Sequence, residues 1–132
     1  MGCQTKGRVL LVDDEIDTAR TLGRILETSG FEVDIFTDPK AALGRFKTAY
    51  YDLVAIDVRM PDMNGFELYS VIKSIDNKIK VLFLISSSSP LRDLHDYDDF
   101  KSDVSPKLHQ RHFIQKPVND DEFLDQVYCI LY

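Results

Sequence analysis

The sequence predicts an α/β protein, a doubly wound five-stranded parallel sheet built from five β–α repeats, (βα)5. Short apolar runs suited to strands alternate five times with stretches whose apolar residues recur at helical spacing. The chain has 132 residues, of which 44% are hydrophobic, and this is typical of one globular domain. Strands separated by helices pair in parallel, and their helices cover both faces of the sheet.

The first two repeats have the boundary residues expected of a strand followed by a helix. The run at 8–12 is apolar on both faces, which favours a central strand. Apolar residues at helical spacing then begin at Ile16 and stop before Gly30, which suits the left-handed position after a helix. Alternation around Val33 predicts a half-buried edge strand. Asp38 is followed by a proline, a pair typical of a helix N-terminus.

The remaining three repeats follow the same pattern. We predict strands at 53–56, 79–85 and 113–115, and helices that begin near Phe66, Pro90 and Asn119. The third helix is marked by Phe66, Tyr69, Ile72 and Ile75. Asn119 and Glu122 resemble a capping box at the start of the last helix. The apolar stripe of that helix is predicted to be Leu124, Val127, Tyr128 and Leu131.

Charge and composition exclude several classes of function. The net charge is −6, from 22 acidic and 16 basic residues, which disfavours a nucleic-acid binder because such proteins need a basic patch. No run of 18 apolar residues and no signal peptide are present, so we expect no membrane insertion and a cytoplasmic location. Cys3 and Cys129 lack metal-binding spacing and are expected to be reduced thiols. Residues 1–7 are predicted to be a flexible N-terminal tail.

Charged side chains follow three of the predicted strands. Asp13 and Asp14 follow the first strand, Asp57 ends the third, and Lys116 follows the fifth. The carboxyl ends of parallel strands share one edge of a sheet, which is where ligands bind in such folds. Clustered carboxylates repel one another unless a cation binds, and hard oxygen ligands with an open position favour Mg²⁺. A carboxylate there can attack phosphorus to give an acyl phosphate, while a lysine neutralises phosphoryl charge.

Three segments at this edge resemble the receiver domain of two-component response regulators. They are Val-Asp-Asp-Glu at 12–15, Asp-Val-Arg-Met-Pro-Asp-Met-Asn-Gly at 57–65, and Lys-Pro at 116–117. The resemblance covers residues 8–131 and is closest in kind to stand-alone, chemotaxis-type receivers. It implies a flavodoxin-like fold with strand order 2-1-3-4-5 and a single receiver domain at residues 8–132.

The resemblance also implies a role for each residue at this edge. Asp57 would accept a phosphoryl group from a histidine kinase or a histidine phosphotransfer protein. The implied Mg²⁺ ligands are the side chains of Asp13, Asp14 and Asp57 and the backbone carbonyl of Arg59, with Asp13 acting mainly through water. Lys116 would contact the phosphoryl oxygens. The other implied roles belong to Phe113, a switch aromatic, and to three structural residues, Pro61, Gly65 and a cis Pro117.

The end of the fourth strand departs from the family pattern, which places a Thr or Ser there. Direct alignment puts Ile85 at this position, and Ile85 cannot donate a hydrogen bond to a phosphoryl oxygen. A one-residue bulge would bring Ser86 into the role, and we predict Ser86 as both the phosphoryl-binding and the switch hydroxyl. If Ile85 fills the position instead, the activation switch is altered or absent.

The segment at 87–112, between the fourth and fifth strands, is longer than is usual in receivers and rich in charge. It is expected to be either a specialised partner surface or a solvated helix and loop. Because residue 132 follows the last helix directly, no output domain is expected, although part of a longer regulator would look the same.

The predicted function is a signalling switch that takes part in its own phosphorylation and dephosphorylation, rather than an enzyme, and that acts on a downstream protein. The alternative is a pseudo-receiver, an interaction module independent of phosphorylation. Ile85 and the long segment favour the alternative, and the intact aspartates and Lys116 oppose it. An aspartyl phosphatase is disfavoured because Arg59 stands where that chemistry needs an acid–base Asp.

Overall fold

The computed structural model describes residues 6–85, 112–116 and 118–132. Its five strands are β1 Arg8–Val12, β2 Glu32–Phe36, β3 Leu53–Asp57, β4 Lys80–Ile85 and β5 Phe113–Gln115. Its helices are α1 Ile16–Thr28, α2 Pro39–Arg45, α3 Gly65–Ile75 and a C-terminal helix, Asp120–Leu131. None of the described helices combines the length and the apolar character that a membrane crossing requires.

The strands form one parallel sheet in the order β2-β1-β3-β4-β5, which confirms the predicted fold class and strand order. The register sets the carboxyl ends of the central strands level with one another. Val12 pairs with Ile56, and Asp57 pairs with Leu84. Consequently the residue that follows β1 and the last residue of β3 lie side by side at one edge of the sheet.

Two hydrophobic layers cover the two faces of this sheet. Leu10 and Val12 of β1 face a layer that includes α2 and α3. Val9 and Leu11 face the opposite layer, which includes α1 and the C-terminal helix. All four side chains are fully buried. The central strands are apolar on both faces because each face is covered by helices, as the sequence predicts.

Within the described residues, the backbone agrees with the helix ends predicted at Gly30, Asp38 and Asn119. Gly30, just after α1, has a φ of 101°, the left-handed region that a glycine adopts without strain. The Asp38 carboxylate accepts the Lys40 N–H at 3.3 Å, and a proline opens α2. The Asn119 side chain accepts N–H groups at the start of the C-terminal helix. These caps fix where each helix leaves the sheet edge.

Two of the predicted apolar stripes need correction. Ile75, predicted to mark the core face of α3, is 45% exposed. The C-terminal helix buries Phe123, Val127 and Ile130, whereas the other members of its predicted stripe are partly buried. Both stripes on this helix satisfy the helical period and lie next to each other. Phe123 is fully buried, and burial of an aromatic side chain removes more apolar surface from water than burial of a leucine, so the helix packs with the Phe123 stripe innermost.

Several predictions fall on positions that are not described. Ser86, Pro117 and residues 87–111 lie outside the described residues, so the roles given to them remain predictions. The same holds for residues 1–5 of the expected tail. Its last two residues are bonded to the domain: the Lys6 N–H donates to the Gly30 carbonyl at 2.9 Å, and the Gly7 carbonyl accepts from the Glu32 N–H at 3.0 Å.

Candidate functional site

Three acidic side chains meet at the carboxyl edge of the sheet. Asp13, Asp14 and Asp57 each offer a carboxylate oxygen, and these oxygens lie within 4.8 Å of one another. Asp13 and Asp57 are buried, whereas Asp14 is exposed. The cluster therefore opens to solvent on the side of Asp14.

The turn from β1 into α1 holds Asp13 in place. Its N–H donates to the Phe36 carbonyl at 3.1 Å, which carries the β1–β2 pairing one residue past the strand. Its Oδ1 accepts the N–H of Glu15 at 2.9 Å. This second bond closes a local turn in which the aspartate side chain accepts the backbone N–H two residues ahead. The same turn leads the chain into the first residues of α1.

The close approach of α3 holds the backbone at Asp57. The Val58 N–H donates to the Leu84 carbonyl at 3.0 Å, and the Gly65 N–H donates to the Val58 carbonyl at 2.8 Å. A Cβ on Gly65 would lie 2.6 Å from the Asp57 carbonyl oxygen. The predicted structural role of Gly65 thus has a steric reason, because only a residue without a Cβ fits there.

The loop between β3 and α3 contains the other predicted residues. The Arg59 N–H donates to Asp57 Oδ1 at 3.3 Å, so Arg59 lies beside the carboxylate with which it is predicted to share a metal. Pro61 is exposed, and its carbonyl accepts the Met63 N–H at 2.7 Å. Asp62 has a φ of 70°, which completes the tight turn. Pro61 therefore lies in a tight turn of this loop, where a proline is a favourable residue.

Lys116 reaches the acidic cluster from β5. Its N–H donates to the Ile85 carbonyl at 2.8 Å, which extends the pairing of β4 and β5. Its ammonium Nζ lies 3.3 Å from Asp13 Oδ2 and 3.4 Å from Asp57 Oδ2. The shortest of its three ion pairs is with Glu15 Oε1, at 2.8 Å. The structure thus joins all four charged residues predicted for this edge.

Glu15 also belongs to the site, through its ion pair with Lys116, and this role was not predicted from the sequence. It stands in the Asp-Asp-Glu run that ends the first strand, so its position was visible in the motif. The missing signal is the reach of its side chain, which depends on where Lys116 lies in three dimensions.

The electrostatics of the site favour a bound cation. Burial raises the pKa of Asp57 to about 8, and the neighbouring Asp13 charge contributes to this. Burial likewise raises the pKa of Asp13. Burial lowers the pKa of Lys116, but its hydrogen bond to Glu15 and the charges of Asp57 and Asp13 outweigh this, so the pKa lies above its usual value. One ammonium group is therefore shared by more carboxylates than it can neutralise.

The donor set fits a hard divalent cation. Three carboxylates within 4.8 Å of one another supply oxygen ligands, and the exposed side near Asp14 leaves room for water or a phosphate oxygen. Mg²⁺ is typically bound by one or two carboxylates together with water and phosphate oxygens. The cluster thus has the chemistry expected for Mg²⁺.

Phe113 lies away from the carboxylates, within the aromatic core. Its ring stacks on Phe83 with centroids 5.4 Å apart, and its centroid is 6.4 Å from that of Phe66. Its carbonyl accepts the Gln126 side-chain amide at 2.8 Å. The structure therefore places Phe113 as a partly buried core aromatic on the short strand that leads to Lys116.

The described part of β4 keeps a regular register up to Ile85, the residue before the bulge that the prediction for Ser86 requires. The pairing is continuous to Asp57 with Leu84 on one side and Ile85 with Gln115 on the other. Within the described part of β4, Ile85 thus keeps the regular register and is half-buried. Ser86 itself lies outside the described residues.

Comparison with known proteins gives the family. The model of the response regulator receiver domain matches residues 9–128, and this chain belongs to that family. The resemblance seen in the three motifs is thereby confirmed. The family defines the chain as a component of two-component signal transduction, in which receiver domains serve as switches.

Similar proteins are found by comparison of both sequence and structure. The chain is 30% identical over 124 residues to the transcriptional regulatory protein CpxR homolog of Haemophilus influenzae, covering 94% of this chain and 50% of that protein. A CheY-like receiver domain from Methanospirillum hungatei is 26% identical with a TM-score of 0.78, over 97% of this chain and 94% of that one. The non-phosphorylated HemR receiver domain of Leptospira biflexa is 28% identical with a TM-score of 0.75, over 96% and 94%. The chain spans about half or less of the length of the curated relatives that it matches.

Proposed function

We propose that this chain is a phospho-accepting receiver in which Asp57 takes a phosphoryl group from a histidine kinase or a histidine phosphotransfer protein, with Mg²⁺ as cofactor. The observation that supports this proposal is the position of the buried Asp57 carboxylate. It lies within 4.8 Å of the carboxylate oxygens of Asp13 and Asp14 and 3.4 Å from the Lys116 ammonium. A nucleophile, a cation site and a fixed positive charge are thus gathered at one point.

The proposed reaction is the transfer of a phosphoryl group from a histidine nitrogen of the donor to the Asp57 carboxylate. A carboxylate oxygen of Asp57 attacks phosphorus, the bond from phosphorus to the donor nitrogen breaks, and its electron pair leaves with the imidazole. Lys116 keeps its proton and offsets the negative charge of the phosphoryl oxygens. Bound Mg²⁺ supplies further positive charge where carboxylate and phosphoryl oxygens would otherwise repel one another. Hydrolysis, by attack of water on phosphorus, returns the carboxylate and releases phosphate.

The proposed metal ligands differ in how directly they bind. Both oxygens of Asp13 already accept bonds, from the Glu15 N–H and from the Lys116 ammonium. The two oxygens of Asp57 are engaged in the same way, by the Arg59 N–H and the Lys116 ammonium. The assignment of Asp13 to a role through water, with Asp14 and Asp57 binding directly, therefore follows the family resemblance. The backbone carbonyl of Arg59 would complete the protein ligands, because its residue adjoins Asp57 in the loop.

We place the output of the switch along β5. Phe113 lies three residues before Lys116, so a change at Lys116 can be passed along this short strand to the aromatic stack with Phe83. Phosphorylation would shift the population of a two-state element rather than create a new fold. The downstream partner is proposed to be a protein. The roles of Ser86, of a cis Pro117 and of a cytoplasmic setting stay predictions.

Intact mass after incubation with acetyl phosphate tests the proposal. We expect one phosphoryl adduct that requires Mg²⁺ and is lost in Asp57→Asn. The matched control is Asp62→Asn, an exposed aspartate in the same loop, which should keep the adduct. A wild-type protein that takes no phosphoryl group under any condition would overturn the proposal. The pseudo-receiver would then be the better account, because Ile85 ends β4 where the family carries a hydroxyl.

Lys116 has a separate test, because it is proposed to couple phosphorylation to output. Lys116→Ala should still form the acyl phosphate, whereas the affinity for a downstream partner should no longer respond to it. If partner affinity in Lys116→Ala stayed fully dependent on phosphorylation, the role given to Lys116 would be wrong. Binding measured with and without acetyl phosphate distinguishes the two outcomes.

A further inference from the structure

We propose that Glu15 is a positioning residue that competes with the phosphoryl group for Lys116, an inference that rests on the proposed function. The observation is the order of distances around one ammonium group. Lys116 Nζ lies 2.8 Å from Glu15 Oε1, compared with 3.3 Å to Asp13 and 3.4 Å to Asp57. Among the described residues, the shortest ion pair of Lys116 is therefore with a residue outside the proposed metal ligands.

The number of hydrogens on the ammonium group makes this a competition. A lysine ammonium has three N–H donors and no acceptor. Two of them serve the hydrogen bonds to Glu15 and Asp13, and the third faces Asp57. The third N–H can pass to one phosphoryl oxygen at Asp57, and a second phosphoryl oxygen gains an N–H from Lys116 only if one of the other carboxylates releases it.

Burial decides which carboxylate gives way. The Glu15 side chain is 64% exposed, whereas those of Asp13 and Asp57 are 0% and 4% exposed. A released Glu15 carboxylate is solvated by water. Release of Asp13 would instead leave a buried charge without its partner, which is far more costly. Glu15 is thus the partner that Lys116 exchanges for the phosphoryl group.

The helix would not be disturbed by this exchange. Glu15 is the N-cap residue of α1, but its side chain makes no capping hydrogen bond. Its backbone carbonyl accepts the Ala19 N–H at 3.0 Å, which a side-chain substitution leaves in place. The side chain can therefore be changed without removing a cap from α1.

Rates of phosphorylation by acetyl phosphate in the presence of Mg²⁺ test the proposal. Glu15→Gln should accelerate the reaction about two- to fivefold, the range expected when a partly exposed ion pair is lost. Asp17→Asn is the matched control, since it removes an exposed negative charge from the first turn of α1. This control should react at the wild-type rate. In a Lys116→Ala background the Glu15→Gln change should have no effect.

The outcomes separate this inference from the proposed function. If the wild type is phosphorylated but Glu15→Gln reacts no faster, or is equally accelerated without Lys116, only the competition is refuted. If the wild type takes no phosphoryl group, both proposals fail.

A second measurement needs no phosphodonor. Hydrogen exchange of the Lys116 ammonium, followed by NMR in protein labelled with ¹⁵N-lysine, should be faster in Glu15→Gln than in the wild type or Asp17→Asn. An unchanged rate of exchange would show that Glu15 does not hold Lys116, and would overturn the inference.

Discussion

At the scale of single residues, Gly65 is a position where even one added carbon is expected to be costly. A Cβ there would lie 2.6 Å from the Asp57 carbonyl oxygen and 3.0 Å from Val58 Cα. Both neighbouring atoms belong to the backbone, so neither can move away without shifting the chain. We expect Gly65→Ala to lower the free energy of unfolding by about 1–3 kcal/mol, as overpacking does.

Urea denaturation measures this change, and Gly44 provides the control. A Cβ on Gly44, near the end of α2, meets nothing within 4 Å. Gly44→Ala should therefore be neutral or stabilising by up to about 1 kcal/mol, because alanine has the higher helix propensity. Equal effects of the two substitutions would contradict the steric account of Gly65.

A second prediction at this scale concerns the pH dependence of stability. The pKa of Asp57 is raised from 3.8 to about 8 by burial and by the charge of Asp13. The folded protein therefore holds a proton that the unfolded chain loses near pH 4. Without divalent cations, the free energy of unfolding should fall between about pH 4 and pH 8, by up to about 1.4 kcal/mol per pH unit.

Asp57→Asn removes this titration and should flatten the curve. The comparison is made in a chelator, because the other charges that face Asp57, namely Asp13, Asp14 and Lys116, also respond to bound metal. Wild type and Asp57→Asn should have similar stability at pH 4, and the variant should be the more stable at pH 8. Parallel curves over this range would show that Asp57 does not titrate as the structure indicates.

Which residues of the site could be predicted depends on whether the backbone alone places them. Asp13, Asp57 and Lys116 end or follow strands, so parallel pairing brings them together whatever their rotamers are. Glu15 lies beyond the turn into α1, and its contact with Lys116 depends on two long side chains. No spacing in the sequence reports such a contact.

At the scale of elements, α3 is held by its first turn. The Asn64 side chain accepts the Glu67 N–H at 2.9 Å, and the Glu67 carboxylate accepts the Asn64 N–H at 3.0 Å. This complete capping box stands next to the loop that contains the proposed ligand Arg59. We expect Asn64→Ala to cost about 1 kcal/mol, measured by urea denaturation with an unchanged m-value.

Asn77→Ala is a suitable comparison for the cap, since Asn77 lies beyond the other end of α3 and is exposed. It should change the stability by less than half as much. If the two substitutions were equally costly, the capping bonds of Asn64 would not be the source of the effect.

Elements with distinct chemistry at their ends were predictable, and the faces of helices less so. Asp38 and the following proline placed α2 correctly because the Asp38 carboxylate accepts the Lys40 N–H and the proline has no N–H that needs a partner. The complete capping box at Asn64 was missed, although its Asn-x-x-Glu spacing is present in the sequence. The rotation of the C-terminal helix toward Phe123 depends on the shape of the layer it packs against, which one helical period cannot specify.

At the scale of the whole molecule, the site should couple metal binding to stability. A ligand that binds only the folded state stabilises it in proportion to the logarithm of its concentration above Kd. Mg²⁺ at millimolar concentration should raise the Tm of the wild type and have little effect on Asp57→Asn or Asp14→Asn. Differential scanning fluorimetry with an external dye suits this chain, which has no tryptophan. A rise of equal size in all three proteins would indicate binding elsewhere.

The whole fold was predictable because each rule it obeys acts on a pattern visible in the chain. Strands that are apolar on both faces require helices on both sides of the sheet. A charged residue marks where a short strand ends, as Asp57 does for β3. The details of the switch were not predictable in the same way. They depend on whether β4 bulges after Ile85, and the regular register up to that residue gives the prediction for Ser86 no support.

The strand β2 lies at one margin of the sheet, where it pairs with β1 on a single side among the described residues. Glu32 and Asp34 alternate with its apolar residues, and each is engaged, Glu32 with Arg8 at 2.8 Å and Asp34 with the Tyr51 hydroxyl at 2.6 Å. Fixed charges on an open strand oppose the approach of an identical strand from another molecule. This margin therefore favours colloidal stability, because a strand added from another copy of the protein would have to displace or desolvate these engaged charges.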